Sequence, residues 1–419
     1  MSCEIRSNSA IAITGVGIVC PSGIGIQMLE KTLVNGASHV REIVQFETED
    51  LPCRVGAWID DFDPRDYIDG RSASRIDRAA QLFVASTILA IDDRENSTND
   101  IDRNRVGIFE GTSLGGLSRA LMENELFSTK GYSSIHPTIV NAAMTGSGAG
   151  LAAIVHGITG PVTTFSNGSI SSHTAIAVGV QALQRGEIDL ALAGGGEAPV
   201  YRPILAAFGR ARVLSKLNHP PGQSCRSFDL KRDGTVLGEA GAVLVLERTN
   251  DAISNGSNIY AEILATSHTN DAFSLFAPDP DATQQARSMT LALSRGRVNP
   301  SELDYLSAHG TGTRINDCTE SSAIRACLGK HAYRIAVSSS KPMLGHSLGA
   351  CSVVETIKVL TAMLGGFVPP TINLTKADPE CDLDYVPLKC RNQQINTALI
   401  NNSSFGGKNG SILIRKWNW

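Results

Sequence analysis

Short apolar runs alternate along the chain with longer stretches whose apolar positions recur at helical spacing. Residues 11–17 (IAITGVG), 105–111 (RVGIFEG) and 189–195 (DLALAGG) are brief apolar runs closing on glycine, the pattern of buried strands. Residues 79–91 and 170–185 carry the helical pattern between them. The second half repeats this grammar, with strands at 259–266, 303–308 and 335–338 and helices at 282–295, 318–327 and 351–364. Residues 397–417 read as two strands joined by a glycine turn at 405–410. Such alternation predicts an α/β architecture with largely parallel sheets. Two similar halves are expected, divided near 250–257 into residues 1–253 and 254–419. Identity between the halves is too low for the sequence alone to establish a repeat. The loop-rich segments 40–75 and 265–285 are the expected places for caps.

Three turns in this pattern hold candidate chemistry. Residues 162–166 (VTTFS) are β-rich, Asn167-Gly168 is a turn signal, and the amphipathic run begins at Ser169. Ser169 is thus expected at a strand-to-helix elbow, where unpaired N–H groups and the positive end of the helix dipole favour an anion. Taken alone, the segment fits a simple helix N-cap better, since serine is a preferred cap. His309, in His309-Gly310-Thr311-Gly312-Thr313, follows one strand-like run; Lys341 and His346, in 338–350 (SSSKPMLGHSLGA), follow another. Loops after buried strands gather at the strands' carboxyl ends, where ligands bind in open α/β sheets. His173 and His268 have no such setting and read as structural residues.

Composition narrows the classes. The chain has 419 residues, 42% hydrophobic and 19% charged, enough for one large unit or two domains. A net charge of −4, with no basic cluster interleaved with aromatics, gives no case for nucleic acid. No uninterrupted apolar run reaches ~18 residues, so no membrane span is expected. The N-terminal MSCEIRSNSAIAITG lacks the pattern of a secretory signal. Nine cysteines are scattered with no C-x-x-C and no zinc spacing, which predicts reduced thiols, a cytoplasmic location and no metal.

Together the segments resemble the β-ketoacyl-acyl-carrier-protein synthase I/II branch of the thiolase superfamily, which includes the type II polyketide ketosynthases. The resemblance runs nearly end to end. It includes the ITGVG start, Gly111-Thr112-Ser113, AGGGE at 193–197, Arg226-Ser227-Phe228-Asp229, HGTGT with Asp317 and Glu320, Lys341 with Gly345-His346, and Phe405-Gly406-Gly407-Lys408-Asn409. The stretch 166–172 (SNGSISS) is similar to the polyketide ketosynthase turn whose fourth residue is a reactive cysteine; here that residue is Ser169.

The resemblance implies a five-layered αβαβα sandwich of two pseudo-repeated halves. It also implies decarboxylative condensation of an acyl thioester with malonyl-carrier-protein. Ser169 would accept the acyl group, and His309 and His346 would donate N–H to the enolate oxygen. Lys341 would support the second histidine, with Glu355 behind it. The backbone N–H groups of Ser169 and Phe405 would form the oxyanion hole, with Phe405 and Gly406 in the gate. Thr311 and Thr313 would hold the pantetheine arm, unless they serve only as turn hydrogen bonds. No cofactor is expected beyond the phosphopantetheine of the acyl carrier protein. That protein is the expected partner, beside a homodimer or a heterodimer with a ketosynthase-like chain.

Serine at 169 departs from the family. A helix dipole supplies at most ~2 kcal/mol, about 1.5 pKa units, which suffices for a thiol but not for a hydroxyl. A hydroxyl needs a general base, and both histidines look committed to the enolate. Slow acylation or none, a stable ester of any acyl group held, and surviving decarboxylation are therefore expected. Serine here fits an introduced Cys→Ser change, or a native serine-type decarboxylase or acyltransferase. A non-catalytic chain-length-factor-like subunit and a coenzyme A thiolase are the other readings. Retention of His309, His346 and Lys341 argues against the former, and the carrier-protein-type motifs against the latter. A second departure is Ser403-Ser404, where the family commonly has Phe-Gly; Ser404 is expected to stiffen the gate or change its timing.

Overall fold

The computed structural model describes residues 10–94 and 102–418. The first nine residues of the stretch read for a secretory signal lie outside that range. Ten main strands build the frame. Those of the first half are β1 (Ile11–Cys20), β2 (Val106–Gly111), β3 (Val162–Phe165), β4 (Leu190–Glu197) and β5 (Ala240–Arg248). Those of the second half are β6 (Ala261–Asn270), β7 (Tyr305–Ser307), β8 (Ala336–Ser338), β9 (Thr397–Ser404) and β10 (Lys408–Lys416).

Hydrogen bonding orders them β8-β7-β9-β10-β6-β1-β5-β4-β2-β3, with the two-residue strand Gly23–Ile24 on β1. Each half therefore has the same internal order: third, second, fourth, fifth, first. The halves meet where Ile11, Ala12 and Ile13 pair with Ile263, Glu262 and Ala261.

Six helices complete the layers: α1 (Arg78–Asp93), α2 (Ser147–His156), α3 (Ser171–Gln184), α4 (Thr283–Gly296), α5 (Arg314–Leu328) and α6 (Cys351–Gly365). α1 and α2 cover the outer face of the first half, and α4 covers that of the second with α5 against it. α3 and α6 pack on each other between the halves. This is the expected αβαβα sandwich. The central pair is largely buried, α6 continuously from Cys351 to Met363. The 18-residue stretch Leu348–Gly365 matches a membrane span in length and mean hydropathy (1.5), yet 89% of it is buried. It was missed as a long apolar run because Glu355 and Lys358 interrupt it.

The sheet is less parallel than the alternation suggested. β2 pairs in parallel with β3 and β4, and β7 with β8 and β9. The remaining main pairings are antiparallel. A parallel partner needs a crossover long enough for a helix, whereas the three-residue turn between β9 and β10 permits only a hairpin. In the first half the corresponding connection is residues 198–239, which carries the helix Arg202–Arg210 and folds over the strand ends.

Candidate active site

Ser169, His309 and His346 arrive from three loops, each after the carboxyl end of a strand: β3, β7 and β8. They line one cavity of about 820 Å³, with Thr311, Thr313 and Phe405 also in its wall. Residues 198–239 contribute Phe208, Arg212 and Asp233 to it, a share the sequence did not reveal. From the expected cap at 265–285 come Asp271 and Phe276.

The elbow is set by local chemistry. Gly168 takes φ +65°, a left-handed value that suits glycine. The Ser171 hydroxyl accepts from Asn167 N–H (2.8 Å) and donates to Gly168 carbonyl (2.6 Å). α3 begins at Ser171, one residue inside the 170–185 expected, with Ile170 as its cap. The Ser169 side chain therefore caps nothing. Its buried Oγ lies 2.9 Å from His346 Nε2, and its N–H donates to Ser404 Oγ at 2.9 Å. Gly111 lets α3 approach the sheet: a Cβ there would stand 2.2 Å from Ser172 N.

The His309 and His346 rings sit edge-on, centroids 5.3 Å apart. Burial, reinforced by the Lys341 charge, holds both well below the usual histidine pKa of 6.5. Both are neutral at pH 7 and can donate N–H or accept a proton. His309 is fixed through its backbone. Its N–H and that of Gly310 donate to Glu320 at 2.7 and 2.8 Å, and Asn401 Nδ2 donates to the same carboxylate at 2.7 Å. Burial pushes Glu320 up to about 7, against those hydrogen bonds.

Behind the histidines lies a buried charge cluster. Glu355 accepts from Ser340 Oγ and Ser307 Oγ, both at 2.9 Å, and lies 3.5 Å from Lys341 Nζ and 2.5 Å from Lys358 Nζ. Burial raises its carboxyl, but Lys358 and Lys341 outweigh that and hold it down at about 2. Lys341 sits above its usual value: burial opposes its charge, and Cys351, Glu355 and Glu320 overcome that opposition. The sequence missed Lys358. Its only signal is a lysine three residues after Glu355 in an otherwise apolar helix.

Thr311 and Thr313 share a hydroxyl hydrogen bond of 3.0 Å, so turn bonding is present alongside their place in the wall. Phe405 is 42% exposed, and its ring stands 6.2 Å from the rings of Phe208 and Phe276. Gly406 (φ +80°) donates its N–H to Leu275 carbonyl and shapes the turn beside the cavity. His173 and His268 meet edge to face, centroids 4.2 Å apart, outside the cavity wall.

Two family models match the chain: the β-ketoacyl synthase N-terminal domain over residues 8–252 and its C-terminal domain over 260–375. A 3-oxoacyl-[acyl-carrier-protein] synthase 2 from Synechocystis sp. is 35% identical over 407 residues, covering 97% of this chain and 98% of the relative. Among solved structures, the ishigamide ketosynthase/chain length factor superposes with a TM-score of 0.92 at 31% identity, covering 98% of this chain and all of that one. A ketosynthase bound to a hexaketide, solved in complex with its type II polyketide acyl-carrier protein, gives 0.90 at 28% identity with the same coverage.

Proposed function

The chain belongs to the β-ketoacyl synthase family of fatty-acid and polyketide biosynthesis, and on that premise we propose that it is a decarboxylative condensing enzyme using Ser169 as acyl acceptor. The observation that carries this is the 2.9 Å contact of Ser169 Oγ with His346 Nε2, in a cavity they share with His309.

In the first step Ser169 Oγ attacks the carbonyl of an acyl thioester, its proton passes to His346 Nε2, and the carrier's thiolate leaves and is protonated. Malonyl-carrier-protein then loses CO2, and its enolate oxygen accepts N–H from His309 and His346. The enolate carbon attacks the Ser169 ester, the C–O bond to Ser169 breaks, and its oxygen takes a proton from water to re-form the hydroxyl as the β-ketoacyl product leaves. His346 thus serves two roles at different times, so commitment to the enolate does not bar it from acting as base. It is a weak base, because burial keeps its pKa low. Acylation is accordingly the slow step, and decarboxylation, which needs neutral imidazoles, is the faster half-reaction. The neutral histidine pair and Lys341–Glu355 set also weighs against a non-catalytic subunit. Thr311 and Thr313 face the path of the pantetheine arm, and Phe405 stands at its mouth as gate.

An acyl carrier protein delivers both substrates in this reading. A second copy, or a ketosynthase-like chain, covers the edge of β3 and its neighbours, where Met122, Phe127, Val140, Met144, Ile154 and Val162 are exposed. Residues 1–253 supply the nucleophile and 254–419 both histidines and the lysine.

Incubation with malonyl-carrier-protein tests the assignment by intact mass and CO2 release. Conversion to acetyl-carrier-protein is expected, falling about 100-fold or more in His309→Ala, as for loss of one oxyanion donor. Absence of decarboxylation by the native chain would refute it.

A further inference from the structure

The N–H of Ser169 is already engaged. It donates to Ser404 Oγ at 2.9 Å, across 235 residues of sequence. Strand alternation sends Ser404 there: Ser403, its neighbour on β9, faces the other way, accepting from Gln285 Nε2 and donating to Asn409 Oδ1, both at 2.9 Å. The hydroxyl packs onto Gly168 so closely that a Cβ on that glycine would lie 2.1 Å from it. When a carbonyl carbon bonds to Ser169 Oγ, its oxygen becomes an oxyanion within reach of the nucleophile's own N–H. That donor is the one an acyl-transfer site most needs. Ser404 Oγ holds it instead.

We propose that the Ser404 hydroxyl occupies the oxyanion-binding N–H of Ser169 and must leave it before an acyl group can be transferred. The proposal deepens the reading of Ser169 as acyl acceptor. Ser404 is a positioning residue: it touches the donor, not the reacting carbon. Because Phe405 follows directly, displacing Ser404 also pulls on the aromatic contacts with Phe208 and Phe276. Opening of the mouth and release of the donor are thereby coupled. Gly406 and Gly407, both at positive φ (80° and 68°), supply the turn that would move.

A small alkyl fluorophosphonate reports on this donor without any carrier protein. Ser169 Oγ bonds to phosphorus, fluoride leaves, the proton passes to His346, and the phosphoryl oxygen takes the N–H. Labelling of Ser169, followed by intact mass, is expected to run about three- to ten-fold faster in Ser404→Ala than in the native chain, the gain from freeing one ordinary hydrogen bond. Ser404→Thr, which keeps the hydroxyl, is expected to stay slow. In parallel, the ratio of acylation by acyl-carrier-protein to malonyl decarboxylation should rise in Ser404→Ala, a change that general loosening of the fold would not produce. Labelling of Ser404→Ala at or below the native rate, including none at all, overturns the proposal. A native chain that is labelled but does not decarboxylate malonyl-carrier-protein sinks the condensing assignment and leaves the donor result standing.

Discussion

In the proposed reaction, Ser169 and the two histidines divide the chemistry by protonation. A hydroxyl beside a weak imidazole base is a poor nucleophile, whereas a thiol in the same elbow would ionise with help from the helix terminus. Ser169→Cys is therefore expected to acylate at least roughly 100-fold faster, within the range general-base effects span. Single-turnover intact mass with acyl-carrier-protein checks this; equal rates would show that the hydroxyl is activated by something other than His346. The histidines give a pH prediction of definite sign. A lowered pKa keeps each imidazole neutral as the medium passes 6.5. In Glu320→Gln, which removes the carboxyl raised to about 7 behind His309, malonyl decarboxylation should stay level from about pH 8 to about pH 6, where a histidine of ordinary pKa would already be mostly protonated. A fall in rate centred near 6.5 in that variant would contradict the neutral pair.

At the scale of elements, α6 is the part whose sequence reads least like its surroundings. It is buried between two layers, yet bears Glu355 and Lys358, which bond each other, Lys341 and Ser307 at the end of β7. Removing one member of a buried ion cluster leaves charge uncompensated. Lys358→Met should cost about 3–5 kcal/mol in chemical denaturation. Adding Glu355→Gln should recover part of that loss, and a double variant no better than the single would show the two residues to be uncoupled. α3 depends on a different device, the bare Gly111 beneath its first turn, which admits Ser172 N at a distance no side chain permits.

On the scale of the whole molecule, two halves of equal strand order are joined edge to edge, and the site forms where their strand ends face the same cavity. The far edge, β3, ends the first half beside an exposed apolar face. Light scattering should give twice the monomer mass for the chain alone, and Val140→Asp with Ile154→Asp should halve it. A native monomer would instead favour a dissimilar ketosynthase-like partner.

Much of this was legible beforehand because it is written in local order. Glycine-closed apolar runs mark β1, β2 and β4, and Ser169, His309, Lys341 and His346 each stand a few residues past a strand, so their loops could be placed at strand ends. Periodicity could not tell that Lys358 is fully buried, since a buried and an exposed lysine look alike in one helix. Nor could it show Ser404 against the Ser169 N–H, or residues 198–239 walling the cavity. Those depend on register and on contacts between residues more than a hundred positions apart. The sequence by itself determined the elements, the three chemical loops and the family they resemble, because these follow from short-range pattern. Only the tertiary structure decided which hydroxyl takes the Ser169 N–H and which histidine meets its Oγ, because each is a distance between distant segments.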